Sequence, residues 1–332
     1  MTTQQLDVIG FGNAIVDVIA RSEEAFLDRH GMRKGGMTLI DEPRAEAVYG
    51  DMGPGVEISG GSAANTMVGI ASLGGRAGFI GKVRDDELGG IFAHDIRAAG
   101  VAYATPAATS GPTTARCLIL VTPDGERTMN TFLGAAQDLT PGDVDAPTVA
   151  GAAVTYLEGY LWDPPAAKEA FLTAARIAHE AGRTVALTLS DAFCVGRYRA
   201  EFLELIRSGT VDLVFANEAE LMSLYETDFD AALAALRKDA KRAVVTRSAK
   251  GALSVAGDDL VTVPAFPVAQ VVDTTGAGDL FAAGYLHGFA RGFTPEESLK
   301  LGALAAAEII SHIGARPEKN LRDLALEHGL RV

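Results

Sequence analysis

Asp273-Thr274-Thr275-Gly276-Ala277-Gly278-Asp279 follows the apolar pair Val271-Val272 and precedes an apolar run, Leu280 to Phe289. The pattern predicts a turn that closes an extended segment and opens a helix over 277–291. Gly-Ala-Gly at a helix start leaves several N–H groups unpaired and sets no Cβ bulk before them. The helix dipole adds roughly half a positive charge there, so the turn suits a phosphoryl group. Asp279 falls in the first helical turn, where that field favours its ionised form. A carboxylate beside an anion cradle can take the proton of an attacking hydroxyl. The plainer reading is a tight turn whose aspartate only stabilises the helix start.

The same strand–turn–helix rhythm continues outward. Strands are predicted over 6–20 (broken at Gly10 and Gly12), 77–83, 154–157, 184–189, 212–215 and 243–246, with strand-like pieces near Leu253 and Val261. Helices are predicted over 22–30, 44–49, 63–73, 86–99, 165–181, 197–207, 218–225, 277–291, 295–312 and 321–328. Alternating β and α implies a mostly parallel sheet covered by helices. One stretch breaks the rhythm: 113–121 and 126–132 flank Pro123-Asp124-Gly125, a turn in which proline presets φ and glycine accepts φ > 0. This hairpin reads as part of a small β-rich lid inserted into one α/β body, with lid segments at roughly 13–59 and 101–133.

Composition narrows the function. The chain has 332 residues, 48% hydrophobic and 22% charged, a balance that excludes disorder, collagen and coiled coil. Lys and Arg total 29 against 43 Asp and Glu, a net charge of −14. Such a chain does not coat nucleic acid or an anionic membrane through bulk charge. Any anion must be held locally. Cys117 and Cys194 form no disulfide framework, and the six histidines include no i, i+4 pair. Met1 to Gln5 is polar without a signal-peptide core, and no apolar run approaches the ~20 residues of a membrane helix. A cytoplasmic protein, monomer or homodimer, is expected.

Four further motifs share the polarity of a small-molecule site. Gly10-Phe11-Gly12-Asn13 leads into Ala14 to Ile19, where Asp17 is a carboxylate in an apolar strand and needs a partner; vicinal hydroxyls of a ribose, a backbone donor or an arginine would each serve. Gly60-Gly61-Ser62-Ala63-Ala64-Asn65 joins a close backbone approach to a side chain that donates and accepts. Asn217 and Glu220 share a helix face at i, i+3, suited to Mg²⁺ held through water or to an N-cap. Thr246 ends a strand, and Gly251 follows five residues on. No Walker loop is present, since Gly81-Lys82 is followed by Val83, and Gly10-x-Gly12 lacks the third glycine of a dinucleotide fingerprint.

These motifs together resemble the ribokinase-like (PfkB) family of small-molecule kinases, and cover most of the chain. The resemblance implies a three-layer α/β sandwich with a β-rich lid and transfer of the γ-phosphoryl of ATP to a hydroxyl. It implies Asp279 as base, with Gly276, Ala277 and Gly278 as the anion hole. Asn13, Asp17, Gly60, Gly61 and Asn65 would hold the acceptor, and Asn217, Glu220, Thr246, Gly251 and Thr275 the nucleotide. Mg²⁺ would sit indirectly on Asn217 and Glu220, and K⁺ activation is known among relatives. Ser248 replaces the first glycine of the family's Thr-x-Gly-x-x-Gly. The long segment between Asp17 and Gly60, the stretch Leu187 to Phe193, and Arg316-Pro317-Glu318-Lys319 resemble the adenosine-kinase branch, which implies the 5′-hydroxyl of adenosine as acceptor. Arg127 matches in character a lid arginine of that branch that swings over the phosphates; a solvated hairpin arginine is the alternative. Tyr160 and Phe193, at strand ends, are candidates to stack on a purine. The rivals are a sugar kinase of the same fold and a non-catalytic nucleoside-binding protein.

Overall fold

The computed structural model describes residues 6–332; Met1 to Gln5, the polar opening, lies outside them. In chain order the strands are β1 (Val8–Phe11), β2 (Ile15–Arg21), β3 (Met37–Leu39), β4 (Gly55–Gly60), β5 (Ala77–Ile80), β6 (Ala102–Tyr103), β7 (Ala115–Val121), β8 (Arg127–Phe132), β9 (Val154–Glu158), β10 (Thr184–Thr188), β11 (Leu213–Asn217), β12 (Ala243–Thr246), β13 (Ala252–Ala256) and β14 (Asp259–Val263). The α-helices are α1 (Glu24–Arg29), α2 (Glu42–Asp51), α3 (Ser62–Ser72), α4 (Glu87–Ala98), α5 (Ala146–Gly151), α6 (Pro165–Glu180), α7 (Ala192–Arg207), α8 (Glu218–Tyr225), α9 (Phe229–Asp239), α10 (Ala277–Ala290), α11 (Pro295–Ile309) and α12 (Leu321–Glu327).

Nine strands form the large sheet in the order β14-β13-β12-β11-β10-β9-β1-β5-β6. Neighbours from β12 to β6 run parallel, and β13 and β14 add an antiparallel edge. Strands covered on both faces are apolar throughout, and β1 is buried along its whole length. Its residues alternate between two cores. Val8, with Tyr156 and Phe215, joins the residues of α3, α10 and α11; Ile9 and Phe11, with Leu157 and Leu187, join those of α6 and α7. The result is helix–sheet–helix layering, as the alternating pattern predicts.

The small sheet has the order β3-β8-β7-β2-β4. The predicted hairpin is β7–β8, with Gly125 at φ +85°. In β2, Val16, Val18 and Ala20 are buried toward the main core, while Ile15, Asp17 and Ile19 are half-buried on the opposite face. The single strand expected over 6–20 is two strands in different sheets, split at Gly12-Asn13. β6, within the expected lid segment 101–133, pairs with β5 of the large sheet instead. α7 begins at Ala192 rather than Arg197, because the Asp191 side chain accepts from Cys194 N at 2.6 Å and caps it. β3, β4 and α9 carry no pattern strong enough to be read in advance: β3 is three exposed residues, and α9 alternates Ala with Leu and charge. No helix among the described residues is long and apolar enough to cross a membrane.

Candidate active site

The turn of the opening motif is built as its glycines predict. Gly276, the residue preceding α10, has φ +79°, and a Cβ there would come 3.1 Å from Ala315. No side chain caps this helix. Ala277 N donates to Thr274 O within the turn, at 3.2 Å. That leaves Gly278 N and Asp279 N, which have no acceptor inside the helix. A Cβ on Gly278 would meet nothing within 4 Å, so the turn is open on that side. Of the three expected anion-hole residues, the amide of Ala277 is therefore engaged, and the N–H of Asp279 itself joins the open set.

α3 lies close against α10 because Gly69 leaves room: a Cβ there would stand 2.6 Å from that of Ala283. The start of α3 thereby reaches Asp279. Ser62 Oγ donates to Asp279 Oδ1 at 2.6 Å, and Asn65 Nδ2 donates to Oδ2 at 3.0 Å. Burial raises the Asp279 pKa, while those two bonds and the field of Arg316 oppose the rise. The two hydrogen bonds orient the carboxylate. Asn65, expected on the acceptor, donates through Nδ2 to the candidate base, and its Oδ1 is buried without a partner among the described residues.

The di-glycine permits two close approaches. A Cβ on Gly61 (φ +96°) would lie 2.2 Å from the carbonyl oxygen of Asn13, and one on Gly60 would lie 2.4 Å from Asp17 Oδ2. Asp17 is half-buried and has no hydrogen-bond partner among the described residues. Burial pushes its pKa up to about 6, opposed by Arg316 and Arg127 and reinforced by Asp279. Asn13 is buried, 1% exposed. Its Nδ2 donates to Glu158 Oε1 at 2.8 Å and its backbone N to the same oxygen at 3.3 Å, while Ala63 N donates to Glu158 Oε2 at 2.8 Å. Glu158 is a residue the sequence reading missed. Burial pushes its pKa up to about 7 against these three bonds. The signal was an acid ending the apolar strand Val154 to Leu157, at the sheet edge where ligands bind in open α/β folds.

Asp273 gathers the signature loop. It accepts from Thr275 N at 3.0 Å, Thr275 Oγ at 2.8 Å and Gly314 N at 3.1 Å, and pairs with the guanidinium of Arg127. Burial works against its ionisation, but these donors hold its pKa below the usual range. Arg127, at the start of β8, thus ties the small sheet to the loop rather than standing in solvent; its side chain is 9% exposed.

Two of the expected nucleotide residues, Asn217 and Thr246, are register partners at the carboxyl ends of β11 and β12, while Thr275 lies in the signature loop on Asp273. Asn217 and Glu220 close on each other: Asn217 N and Nδ2 donate to the two Glu220 oxygens at 2.9 and 2.5 Å, and Glu220 N returns a bond to Asn217 Oδ1 at 2.9 Å. Burial pushes the Glu220 pKa up to about 7. Among the described residues no three His, Cys, Asp or Glu side chains form a metal cage. With the Asn217–Glu220 oxygens engaged by each other's N–H groups, a Mg²⁺ ion beside them would be held through water, without direct ligation by the pair. Gly251 has φ +89°, and a Cβ there would strike Val263 O at 2.0 Å. Ser248, where the family pattern has glycine, adopts φ +51°. The Tyr160 hydroxyl donates to Ser190 O at 3.3 Å. Phe193 is 69% exposed, with the Arg197 guanidinium 4.9 Å from its ring centre, and touches none of the other site residues in the contacts above.

Known proteins resemble this chain in sequence and in fold. The sequence profile described as pfkB family carbohydrate kinase matches residues 47–320. Among solved structures, a probable sugar kinase from Rhizobium etli is 54% identical, with TM-score 0.92, covering 99% of this chain and 100% of that one. An adenosine kinase from Sinorhizobium meliloti is 57% identical, with TM-score 0.91, covering 98% of this chain and 100% of that one. Fructokinase-1 from Oryza sativa subsp. japonica is 30% identical over 286 residues, 84% of this chain and 81% of that protein. Family and fold together imply ATP as co-substrate and a small-molecule acceptor. With its signature turn, two-sheet fold and these relatives, the chain belongs to the pfkB family of carbohydrate kinases and is a phosphotransferase acting on an alcohol group.

Proposed function

We propose that this enzyme transfers the γ-phosphoryl group of ATP to the 5′-hydroxyl of adenosine. The observation that carries the reading is Asp17, a half-buried carboxylate without a partner that lies against Gly60 on the same cleft as Asp279. Such a group seeks hydroxyl donors, and the vicinal pair of a ribose supplies two. The adenosine kinase of Sinorhizobium meliloti supports adenosine as the bearer of that ribose.

In this reading Asp279, oriented by Ser62 and Asn65, accepts the proton of the 5′-hydroxyl as it attacks. The N–H groups at 278 and 279, with the α10 dipole, stabilise negative charge on the phosphoryl oxygens. Mg²⁺, when it arrives on the nucleotide, neutralises phosphate charge; the chain offers it no cage, and K⁺ has no assigned place. The small sheet is the lid. Its Arg127–Asp273 pair closes the site, which excludes water and suppresses ATP hydrolysis. An open pocket of ≈ 300 Å³ beside Val272, lined by Phe266, Val268 and Leu304 and by the polar Glu308, Lys319 and His328, is the place this reading assigns to the base of ATP. The enzyme is assigned to the cytoplasm.

A sugar acceptor is the second reading, favoured by the Rhizobium etli and rice relatives. Initial rates with ATP and adenosine, guanosine, inosine, ribose or fructose separate the two. Adenosine should exceed every free sugar in kcat/KM by at least tenfold; turnover confined to a free sugar overturns the nucleoside reading.

A further inference from the structure

Residues 314–316 touch both halves of the site. Gly314 N donates to Asp273 at 3.1 Å, and Ala315 lies against Gly276. Next to them, Arg316 forks toward the acceptor turn. Its Nε and Nη2 donate to Ser59 O at 2.9 and 2.6 Å, Nη2 also to Ser59 Oγ at 2.9 Å, and Nη1 to Ala64 O at 3.1 Å. The far side of the segment is fixed too, since Glu318 N and Lys319 N donate to Glu308 Oε1 at 3.0 and 2.9 Å.

Every partner of this guanidinium is a neutral oxygen. A desolvated cation with no carboxylate in contact is costly, and a neutral amide could have bonded the same oxygens. The charge faces three carboxylates beyond contact: Asp17, Asp95 and Asp279. Burial lowers the Arg316 pKa to about 10, still far above neutrality, so the charge is permanent.

We propose that Arg316 is a positioning residue that registers the acceptor turn 59–65 against the signature loop 273–279 and sets a fixed positive charge before Asp17 and Asp279. This rests on the phosphotransfer reading above. The other charged or titratable groups facing Asp279 are Asp17, Glu158, Tyr156 and Tyr160. Those facing Asp17 are Arg127, Cys117 and Asp279. Arg316 and Arg127 are the cations among them, and Arg127 is paired with Asp273. Removing Arg316 therefore raises the pH at which the two carboxylates ionise.

The test uses the full-length enzyme with ATP and its best acceptor. Arg316→Met should lower kcat ~100-fold through misplacement and move the acid limb of the kcat–pH profile up by about one pH unit. Arg316→Lys keeps the charge and loses the fork; it should leave the acid limb in place and raise the acceptor KM about tenfold, with the KM for ATP unchanged. A purely structural arginine would lower the melting temperature of both variants and move neither limb nor acceptor KM, and that result overturns the proposal. If Arg316→Met does not fold, Arg316→Lys decides alone, and a native acceptor KM overturns the proposal. Asp279→Asn is the reference. If it still turns over, the base assignment and this proposal fall together; if it is inactive while Arg316→Met behaves as native, this proposal falls alone.

Discussion

Helix α8 begins by satisfying itself. Asn217 and Glu220 exchange three hydrogen bonds across its first turn, so the groups that open this helix are engaged with each other. Helix α10 begins with a left-handed glycine, no side-chain cap and N–H groups facing an open turn, and its first-turn acid is held by Ser62 and Asn65 from another helix. Both starts carry an acid in the first turn, where the helix field favours it. The difference is where the hydrogen bonds go. A helix end closed by its own side chains gains stability; one left open and held from outside can bind and release charge.

The largest effect that could break this contrast is at Asp279. Asp279→Asn keeps one of the two acceptor oxygens and nearly the same shape but cannot take a proton, so turnover should fall by about a thousandfold while calorimetric acceptor affinity stays within a few-fold. A rate near native would put the two helix starts in the same class. Arg127→Met comes next. It removes the tie between lid and signature loop, and kcat should fall on the order of tenfold or more, with ATP hydrolysis in the absence of acceptor rising relative to transfer. Unchanged coupling would mean that the tie does not close the site.

At the closed helix the expected losses are in stability. Asn217→Ala should cost about 1 kcal/mol in denaturant unfolding, with turnover within about fivefold. A hundredfold loss of rate at unchanged stability would show that the box serves the nucleotide after all. Glu220 sharpens the point through pH. Its folded pKa of about 7 lies above the ordinary 4.5, so between those values the folded protein holds a proton the unfolded chain has lost. Stability from this group is full below about 4.5 and is lost as pH rises through 7. Glu220→Gln, which still forms a capping box, should flatten the fall in melting temperature between pH 5 and 7.5 (a window chosen from the ~2.5-unit rise). The same slope in both proteins would place the proton elsewhere. The smallest change is Ser248→Gly. Relief of a left-handed serine, set against the entropy of a new glycine, should stabilise the fold by about 0.5 kcal/mol; destabilisation would mean that the serine side chain contributes more than its backbone costs.

Much of this was legible because it is local. The turn at 276–279, the strand–helix alternation, the hairpin at Pro123-Asp124-Gly125 and the Asn217 helix start all follow from interactions within a few residues. The di-glycine was legible as a close approach, though not what approaches: Asn13, in the link between β1 and β2, and Asp17, in β2, are distant in sequence. The split of 6–20 between two sheets was not legible, since each half is apolar and β-branched and only the pairing partners differ. Asn13 and Asn65 were read as acceptor residues from the motifs they stand in and from a side chain that both donates and accepts. What the motifs did not show is that their Nδ2 groups donate to Glu158 and Asp279.

The sequence by itself determined the reaction class, since an anion turn, a carboxylate in its first helical turn and the family motifs are all written in adjacent residues. Tertiary structure decided which groups are free. Ser62 meets Asp279 across 217 positions, Arg127 meets Asp273 across 146, Asn13 meets Glu158 across 145, and Arg316 meets Ser59 across 257. Desolvation and long-range pairing depend on which segments the sheet order brings together, and that order is not a property of any short stretch.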